Sequence, residues 1–208
     1  MLSDPVSYWE KRHQDFDLWR SGGDRGLSVE ENYEFYLWRL GKIIEILRTY
    51  HSGFRPLQIL DAGCGRGFFS NELRRCGHDV RGIDASPTAI ASATNNFGSG
   101  FCVCELHRYR SSRLFDAIIC IDVLFHILDD DIWLATLQNF VSSLHSRGIL
   151  ILSDVLAEQS FVLGDYIIHR SKELYAAKLN EMGYCLFDYI PYNFGSNPNG
   201  FAIYGLNH

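Results

Sequence analysis

An apolar run, Leu57-Gln58-Ile59-Leu60, ends in Asp61-Ala62-Gly63-Cys64-Gly65-Arg66-Gly67, and a helical pattern begins at once with Phe68-Phe69-Ser70-Asn71-Glu72-Leu73. A strand, a glycine-rich turn and a helix start form a cradle for a nucleotide-like ligand, because a backbone without side chains can come close to it. The spacing is G-x-G-x-G, not the G-x-G-x-x-G of dinucleotide sites, which speaks against a nicotinamide-dependent oxidoreductase. Asp61, at the strand end, would repel a pyrophosphate but suits a ligand with a cationic amino group. A second run, Val80-Arg81-Gly82-Ile83, ends in Asp84, 17 residues after Gly67, where a carboxylate can accept from both hydroxyls of a ribose. The ligand so described carries a ribose and an amino-acid end. Further along, Asp122 and His126 follow another apolar run, and a neutral imidazole is the side chain best suited to take a proton near neutral pH. The alternative for His126 is a hydrogen bond to a backbone carbonyl that holds its loop.

Apolar runs at 57–60, 80–83, 101–103, 117–121 and 149–152 predict strands, separated by segments with helical patterns. That alternation predicts a doubly wound α/β sheet, and strands that are apolar throughout predict a parallel sheet covered on both faces. Ahead of it, a short helix is expected from about Val6 to Trp19, then a flexible connector, Ser21 to Gly26, that could serve as a hinge. Ser28 and Glu31 form a capping box, behind which Tyr33, Tyr36, Leu37, Leu40, Ile44 and Leu47 recur at helical spacing to Tyr50. A late helix is expected from about Asp165 to Met182. After it, 184–190 and 201–206 flank Gly-Ser-Asn-Pro-Asn-Gly and predict an antiparallel hairpin.

The 208 residues suit one domain, with 1–52 as a helical cap, 57–154 as the ligand-binding core and 155–208 as a late helix and hairpin. Nineteen Lys and Arg against 25 Asp and Glu give a net charge of −6, which disfavours a nucleic-acid partner. No apolar stretch reaches the roughly 20 residues of a membrane span. The start, Met1-Leu2-Ser3-Asp4-Pro5, soon meets Glu10, Lys11 and Arg12, an order unlike a secretory signal, so a cytoplasmic location is expected. The six cysteines are expected as reduced, mostly buried thiols, and Cys102-x-Cys104 lacks the spacing of a metal site. Asp129-Asp130-Asp131 reads as the acidic start of a helix, where carboxylates meet the positive end of its dipole.

From about Gln58 to Asp154 the chain resembles the class I S-adenosylmethionine-dependent methyltransferases. The turn from Asp61 to Gly67 is similar to their first motif, and Asp84 and Ala85 match the ribose acid and its neighbour against the adenine. Glu105 and Leu106 stand just past the third strand, where the family holds the adenine ring and more often has aspartate. Phe115–Asp122 followed by Val123-Leu124-Phe125-His126-Ile127 resembles the segment beneath the cofactor and beside the acceptor, and 148–154 resembles the fifth strand. Trp9, in Tyr8-Trp9-Glu10-Lys11-Arg12-His13, is similar to an N-terminal lid.

The resemblance implies a Rossmann-like, seven-stranded, mostly parallel sheet ending in an antiparallel hairpin. It implies S-adenosyl-L-methionine held by Asp61, Ala62, Gly63, Cys64, Gly65, Gly67, Asp84, Ala85, Glu105, Leu106, Asp122 and Trp9, with His126 and Asp122 as the catalytic pair. His169, Arg170, Tyr189 and Tyr192 lie where such proteins line the acceptor pocket. An exposed face of the late helix would equally explain His169 and Arg170. Some members hold a divalent cation here with two acids and a histidine. Only Asp122 and His126 match, Phe125 takes the other acid's place, and no metal site is expected. No Pro-Pro pair follows the fourth strand, and neither a Pro-Cys pair nor a glutamate-paired loop appears. The implied acceptor is therefore a small molecule, most simply a hydroxyl of a sugar, phenol or secondary-metabolite intermediate. A binding module that senses the cofactor without turnover would show the same cofactor residues. The sequence assigns no oligomeric state.

Overall fold

The computed structural model describes residues 4–53 and 55–207, so Met1 to Ser3, on which the reading of the N-terminal start partly rests, lie outside the described residues. These residues form two compact units, one from Val6 to Cys104 and one from Glu105 onward, the latter with the residues before Val6.

The first unit contains α1 (Pro5–Asp15), α2 (Leu18–Ser21), α3 (Val29–Tyr50), β1 (Gln58–Ala62), α4 (Phe68–Arg75), β2 (Asp79–Asp84), α5 (Pro87–Phe97) and β3 (Phe101–Val103). Its strands lie in the order β3-β2-β1, all parallel, with Asp61 opposite Gly82 and Gly82 opposite Phe101. The expected first helix is interrupted. Asp17 accepts from the N–H groups of Trp19 and Arg20, caps a new short helix, and so separates α1 from α2.

Two other expectations are corrected in this unit. The 21–26 segment is pinned: Arg12 donates to the carbonyls of Arg20 and Gly23, and Asn32 donates to those of Asp24 and Leu27. The capping box of α3 forms as expected, but its buried face is Phe35, Tyr36, Arg39, Ile43, Ile46 and Leu47, while Tyr33 and Leu37 are exposed. The cause is aromatic. The Arg39 guanidinium lies over the rings of Phe35, Tyr36 and Phe69 at 4.1, 4.5 and 5.5 Å, which turns that side of the helix inward.

The second unit contains β4 (Phe115–Cys120), α6 (Asp130–Ser142), β5 (Leu144–Asp154), β6 (Phe161–Leu163), β7 (Ile167–His169), α7 (Lys172–Glu181), β8 (Tyr184–Pro191) and β9 (Gly200–Leu206). The order is β4-β5-β9-β8, with β4 and β5 parallel and β9 antiparallel to both β5 and β8. Every residue of β4 is buried, as befits a strand covered on both faces. With the first unit's three, these strands make up the expected seven-stranded, mostly parallel sheet with its antiparallel end.

The late helix is shorter than expected. Residues 165–171 are not helical: β6 and β7 form a separate hairpin, and Ser171 caps α7 by accepting from the Leu174 N–H. Phe161, Val162, Tyr166, Ile167 and Ile168, all β-branched or aromatic around Gly164-Asp165, outweigh the helical spacing. All six cysteines are free thiols, but only Cys64 and Cys120 are buried, and Cys76 and Cys102 are exposed, which corrects the expectation of a mostly buried set. Among the described residues, no helix is long and apolar enough to cross a membrane.

Candidate active site

In the first unit the glycine turn and Asp84 form one hydrogen-bonded assembly. The N–H groups of Gly63 and Cys64 donate to the carbonyl of Ile83 at 2.8 and 2.9 Å, which fastens the turn to the end of β2. Asp84 then holds the turn from the other side: its Oδ2 accepts from the Gly65 N–H at 2.8 Å and its Oδ1 from the Ser86 N–H at 2.8 Å. Each carboxylate oxygen keeps further acceptor capacity, so two hydroxyls can still be bound. Burial pushes the Asp84 carboxyl up, and these backbone bonds partly offset it. Asp61, 2% exposed, accepts from the Ser70 hydroxyl at 2.6 Å. Burial raises its carboxyl to about 7 against that bond. Burial, with the charges of Asp61 and Asp84, also pushes the Cys64 thiol up, so it remains protonated.

The glycines serve two purposes. Gly63, Gly65 and Gly67 all have positive φ, at 80°, 51° and 85°. Gly67 also makes room within the fold, since a Cβ there would lie 2.9 Å from the Phe101 ring and 3.1 Å from Ala93. Gly67→Ala is therefore expected to destabilise the protein by about 1–3 kcal/mol. A melting temperature equal to wild type would show that this crowding is relieved at no cost.

The helix α1 is tied to the same assembly. Glu10 accepts from the hydroxyls of Ser86 and Thr88, both at 2.5 Å, just past Asp84 and Ala85. Burial would raise the Glu10 carboxyl, but these hydrogen bonds outweigh it and hold it at about 2. Arg66, inside the glycine turn, donates to the carbonyls of His13 and Phe16 at 2.5 and 2.8 Å. His13 is 3% exposed, and its ring would lie 3.6 Å from a Cβ on Gly65. Burial, then the Arg66 charge, lower the imidazole to about 4, so it is neutral at physiological pH. Trp9, on the same helix, is half-buried against Tyr8 and carries the Arg12 guanidinium 5.0 Å over its ring. Glu10, His13 and Arg66 were not singled out from the sequence, although Arg66 stands between two of the turn's glycines.

The remaining predicted residues belong to the second unit. Glu105 precedes a short 3-10 helix, Leu106–Arg108, and lies 3.3 Å from Arg108, while the buried Leu106 accepts from the Asn139 side chain at 2.7 Å through its carbonyl. Asp122 has φ 57°, a left-handed conformation that aspartate tolerates. Its N–H donates to the Ser153 hydroxyl, and its Oδ1 accepts from Ser153, Tyr192 and Asn199 at 2.8, 3.2 and 3.2 Å. His126 is 8% exposed and stacks on Tyr166, with Nδ1 at 3.0 Å from the Tyr166 carbonyl. A carbonyl can only accept, so Nδ1 carries the proton and Nε2 the lone pair. Tyr189 bonds the carbonyls of Asp154 and Val155 through its hydroxyl. His169 and Arg170 are 5% and 1% exposed, which corrects the expectation of an exposed helix face. Arg170 bonds Asp130 and the Ile127 carbonyl and stacks on Trp133 at 4.7 Å. Among the described residues, no group of three or more His, Cys, Asp or Glu side chains is placed to hold a metal ion.

A glycine turn with an acid at the strand end, and a second acid hydrogen-bonded to that turn, on a mostly parallel sheet, define an α/β fold of the methyltransferase type. A family profile described as a methyltransferase domain matches residues 33–194, and the chain belongs to that family. It is 30% identical over 152 residues to the ubiquinone biosynthesis O-methyltransferase of Rickettsia bellii, covering 70% of this chain and 60% of that one. The homologue from Rickettsia canadensis is 29% identical over 152 residues, covering 70% and 61%. The chain thus spans about 60% of the length of these curated relatives. Magnesium protoporphyrin IX methyltransferase from Synechocystis, solved with S-adenosylhomocysteine, superposes with a TM-score of 0.74 at 19% identity, covering 98% of this chain and all of that one (100%). The N-methyltransferase NodS from Bradyrhizobium japonicum gives a TM-score of 0.73 at 18% identity, covering 99% and 100%. The fold is that of the S-adenosylmethionine-dependent methyltransferases.

Proposed function

We propose that the chain transfers the methyl group of S-adenosylmethionine to a hydroxyl of a small molecule, such as a sugar, a phenol or a secondary-metabolite intermediate. The observation that supports this most is the anchoring of the Asp61–Gly67 turn by Asp84, whose two oxygens take the Gly65 and Ser86 N–H groups and keep acceptor capacity for a ribose. The relatives from Rickettsia are named for O-methyl transfer, which supports an oxygen acceptor.

When bound, the cofactor's sulfonium supplies a methyl carbon that an oxygen nucleophile displaces in line. The residues of this chain have the remaining tasks. Asp61 meets the amino group, with the backbone of Ala62, Gly63, Cys64, Gly65 and Gly67 alongside. Asp84 binds the ribose hydroxyls, and Ala85 contacts the adenine. Trp9 and α1 cover the turn and exclude water. In the second unit, Asp122 is a fixed acceptor that holds Ser153, Tyr192 and Asn199 in place, and His126, fastened to the Tyr166 carbonyl, shapes the acceptor side.

Formation of S-adenosylhomocysteine from S-adenosylmethionine, dependent on an added small-molecule extract of cells, is the expected activity. His126→Ala is expected to slow that formation about tenfold with cofactor affinity unchanged, as for loss of one orienting hydrogen bond. Cofactor binding with no extract-dependent turnover would replace this reading with a non-catalytic binding module.

A further inference from the structure

The C-terminal end of β5 carries a buried cluster in which His169 meets two residues given no role above, Asp154 and Tyr175. Asp154 is 1% exposed. Its Oδ1 lies 2.5 Å from Nδ1 of His169 and accepts from the Val155 N–H at 2.7 Å, and its Oδ2 accepts from the Tyr175 hydroxyl at 2.8 Å. Burial, together with the Asp154 charge, pushes the Tyr175 hydroxyl well up, so it remains a donor. His169 ends β7, and its ring packs against those of Phe125 and Phe161, each at 4.9 Å. Arg170, the next residue, turns its guanidinium to Asp130.

A ring nitrogen facing a carboxylate carries the proton, which leaves the His169 lone pair on Nε2. That Nε2 has no hydrogen-bond partner among the described residues, yet it is not one of the atoms shut off from solvent. The cluster stands at the carboxyl ends of β4 and β5, where α/β sheets receive their ligands. Phe125 joins it to His126, with ring centroids 4.6 Å apart. The two imidazoles differ in what stands behind them: His126 has a neutral carbonyl, His169 a carboxylate.

We propose that His169, positioned by Asp154, is the base that takes the proton of the acceptor hydroxyl. The proposal rests on the methyl-transfer reading above. The oxygen's electron pair forms the new O–CH3 bond, and the S–CH3 bond breaks with its electrons left on sulfur as a neutral thioether. The hydroxyl proton passes to Nε2 of His169, and the imidazolium then releases it to water. Asp154 holds Nδ1–H in place and supplies the counter-charge for the imidazolium, while Tyr175 keeps the carboxylate facing His169.

The test uses the full chain, labelled S-adenosylmethionine and a deproteinised small-molecule extract as acceptor. His169→Ala and His169→Gln are expected to lower the initial rate of label transfer at least a hundredfold, with S-adenosylhomocysteine affinity within threefold of wild type. Added imidazole is expected to restore part of the rate to His169→Ala, which a merely structural role would not allow. In nitrogen-15 spectra of histidine-labelled protein, His169 is expected as the Nδ1–H tautomer. Asp154→Asn, whose amide can donate to Nδ1, is expected to convert it to Nε2–H and lower the rate to a similar degree. Rates within a few-fold of wild type for both His169 variants would overturn the assignment of the base and leave methyl transfer standing. So would an Nε2–H tautomer in the wild-type protein. Absence of label transfer by the wild type, despite cofactor binding, would overturn the methyl-transfer reading itself.

Discussion

Asp84→Ala is expected to weaken S-adenosylhomocysteine binding by about 3 kcal/mol, roughly 150-fold, when measured by calorimetry. Two losses contribute. The first is the pair of charge-assisted hydrogen bonds to the ribose hydroxyls. The second is structural: the Gly65 and Ser86 N–H groups both donate to this carboxylate, and an alanine leaves them without it. Gly65 sits in a left-handed conformation at φ 51°, so the turn loses one of its fastenings at the point where the backbone must stay close to the ligand. The melting temperature is expected to fall as well, which separates this residue from one that only touches the ligand. Affinity within threefold of wild type would mean that the end of β2 does not bind the ribose.

The second large effect is a dependence on pH set by Asp61. Its carboxyl has a folded value of about 7 against 3.8 in the unfolded chain, with burial as the main cause. Between those values the folded state binds more protons than the unfolded one, so this group's stabilisation is complete below 3.8 and is lost as pH rises through about 7. The loss is on the order of 4 kcal/mol. A ligand bearing a cationic amino group favours the ionised carboxylate, so binding must release a proton below pH 7 and need not above it. S-adenosylhomocysteine is therefore expected to bind roughly 15-fold tighter at pH 7 than at 5.5, at a slope that approaches tenfold per unit toward the lower pH. Asp61→Asn is expected to abolish that slope. An affinity that falls or stays flat over this range in the wild type would place the amino group elsewhere.

His13 acts on stability in the opposite direction. It is neutral in the fold down to about 4, against 6.5 for the free side chain, so the unfolded chain binds the extra proton and stability is lost as pH falls below 6.5. Asp61→Asn and His13→Gln, melted across pH 4 to 8, separate the two contributions. The first is expected to remove the decline toward pH 7 and the second the decline toward pH 4.

The parts of this molecule legible in the sequence are those set by short-range rules. The Ser28–Glu31 capping box and the glycine turn after an apolar strand are local, and both stand where their residues predict. Helical spacing alone places the buried face of α3 one position off, because it cannot tell Tyr33 from Phe35. A long-range stack of Arg39 on Phe69 decides it. In the 165–171 segment the cause is related: Ile167, Ile168 and His169 pair across a three-residue turn, and pairing outweighs helical spacing. In the candidate site, Asp61 and Asp84 announce themselves by standing at strand ends. Asp154 ends the fifth strand and His169 stands 15 residues further on, and no spacing rule pairs them, so only the fold shows them 2.5 Å from each other. Glu10 reaches Ser86 and Thr88 across more than seventy positions, and no spacing rule reports such a contact.

Methyl transfer itself is tested most directly by incubating the chain with labelled S-adenosylmethionine and a cell extract, then separating small molecules, proteins and nucleic acids, with Asp84→Ala as the blank. Label is expected in the small-molecule fraction, on oxygen, and at least tenfold above the blank. Label confined to protein or nucleic acid, or equal in wild type and Asp84→Ala, would contradict the function proposed for this fold.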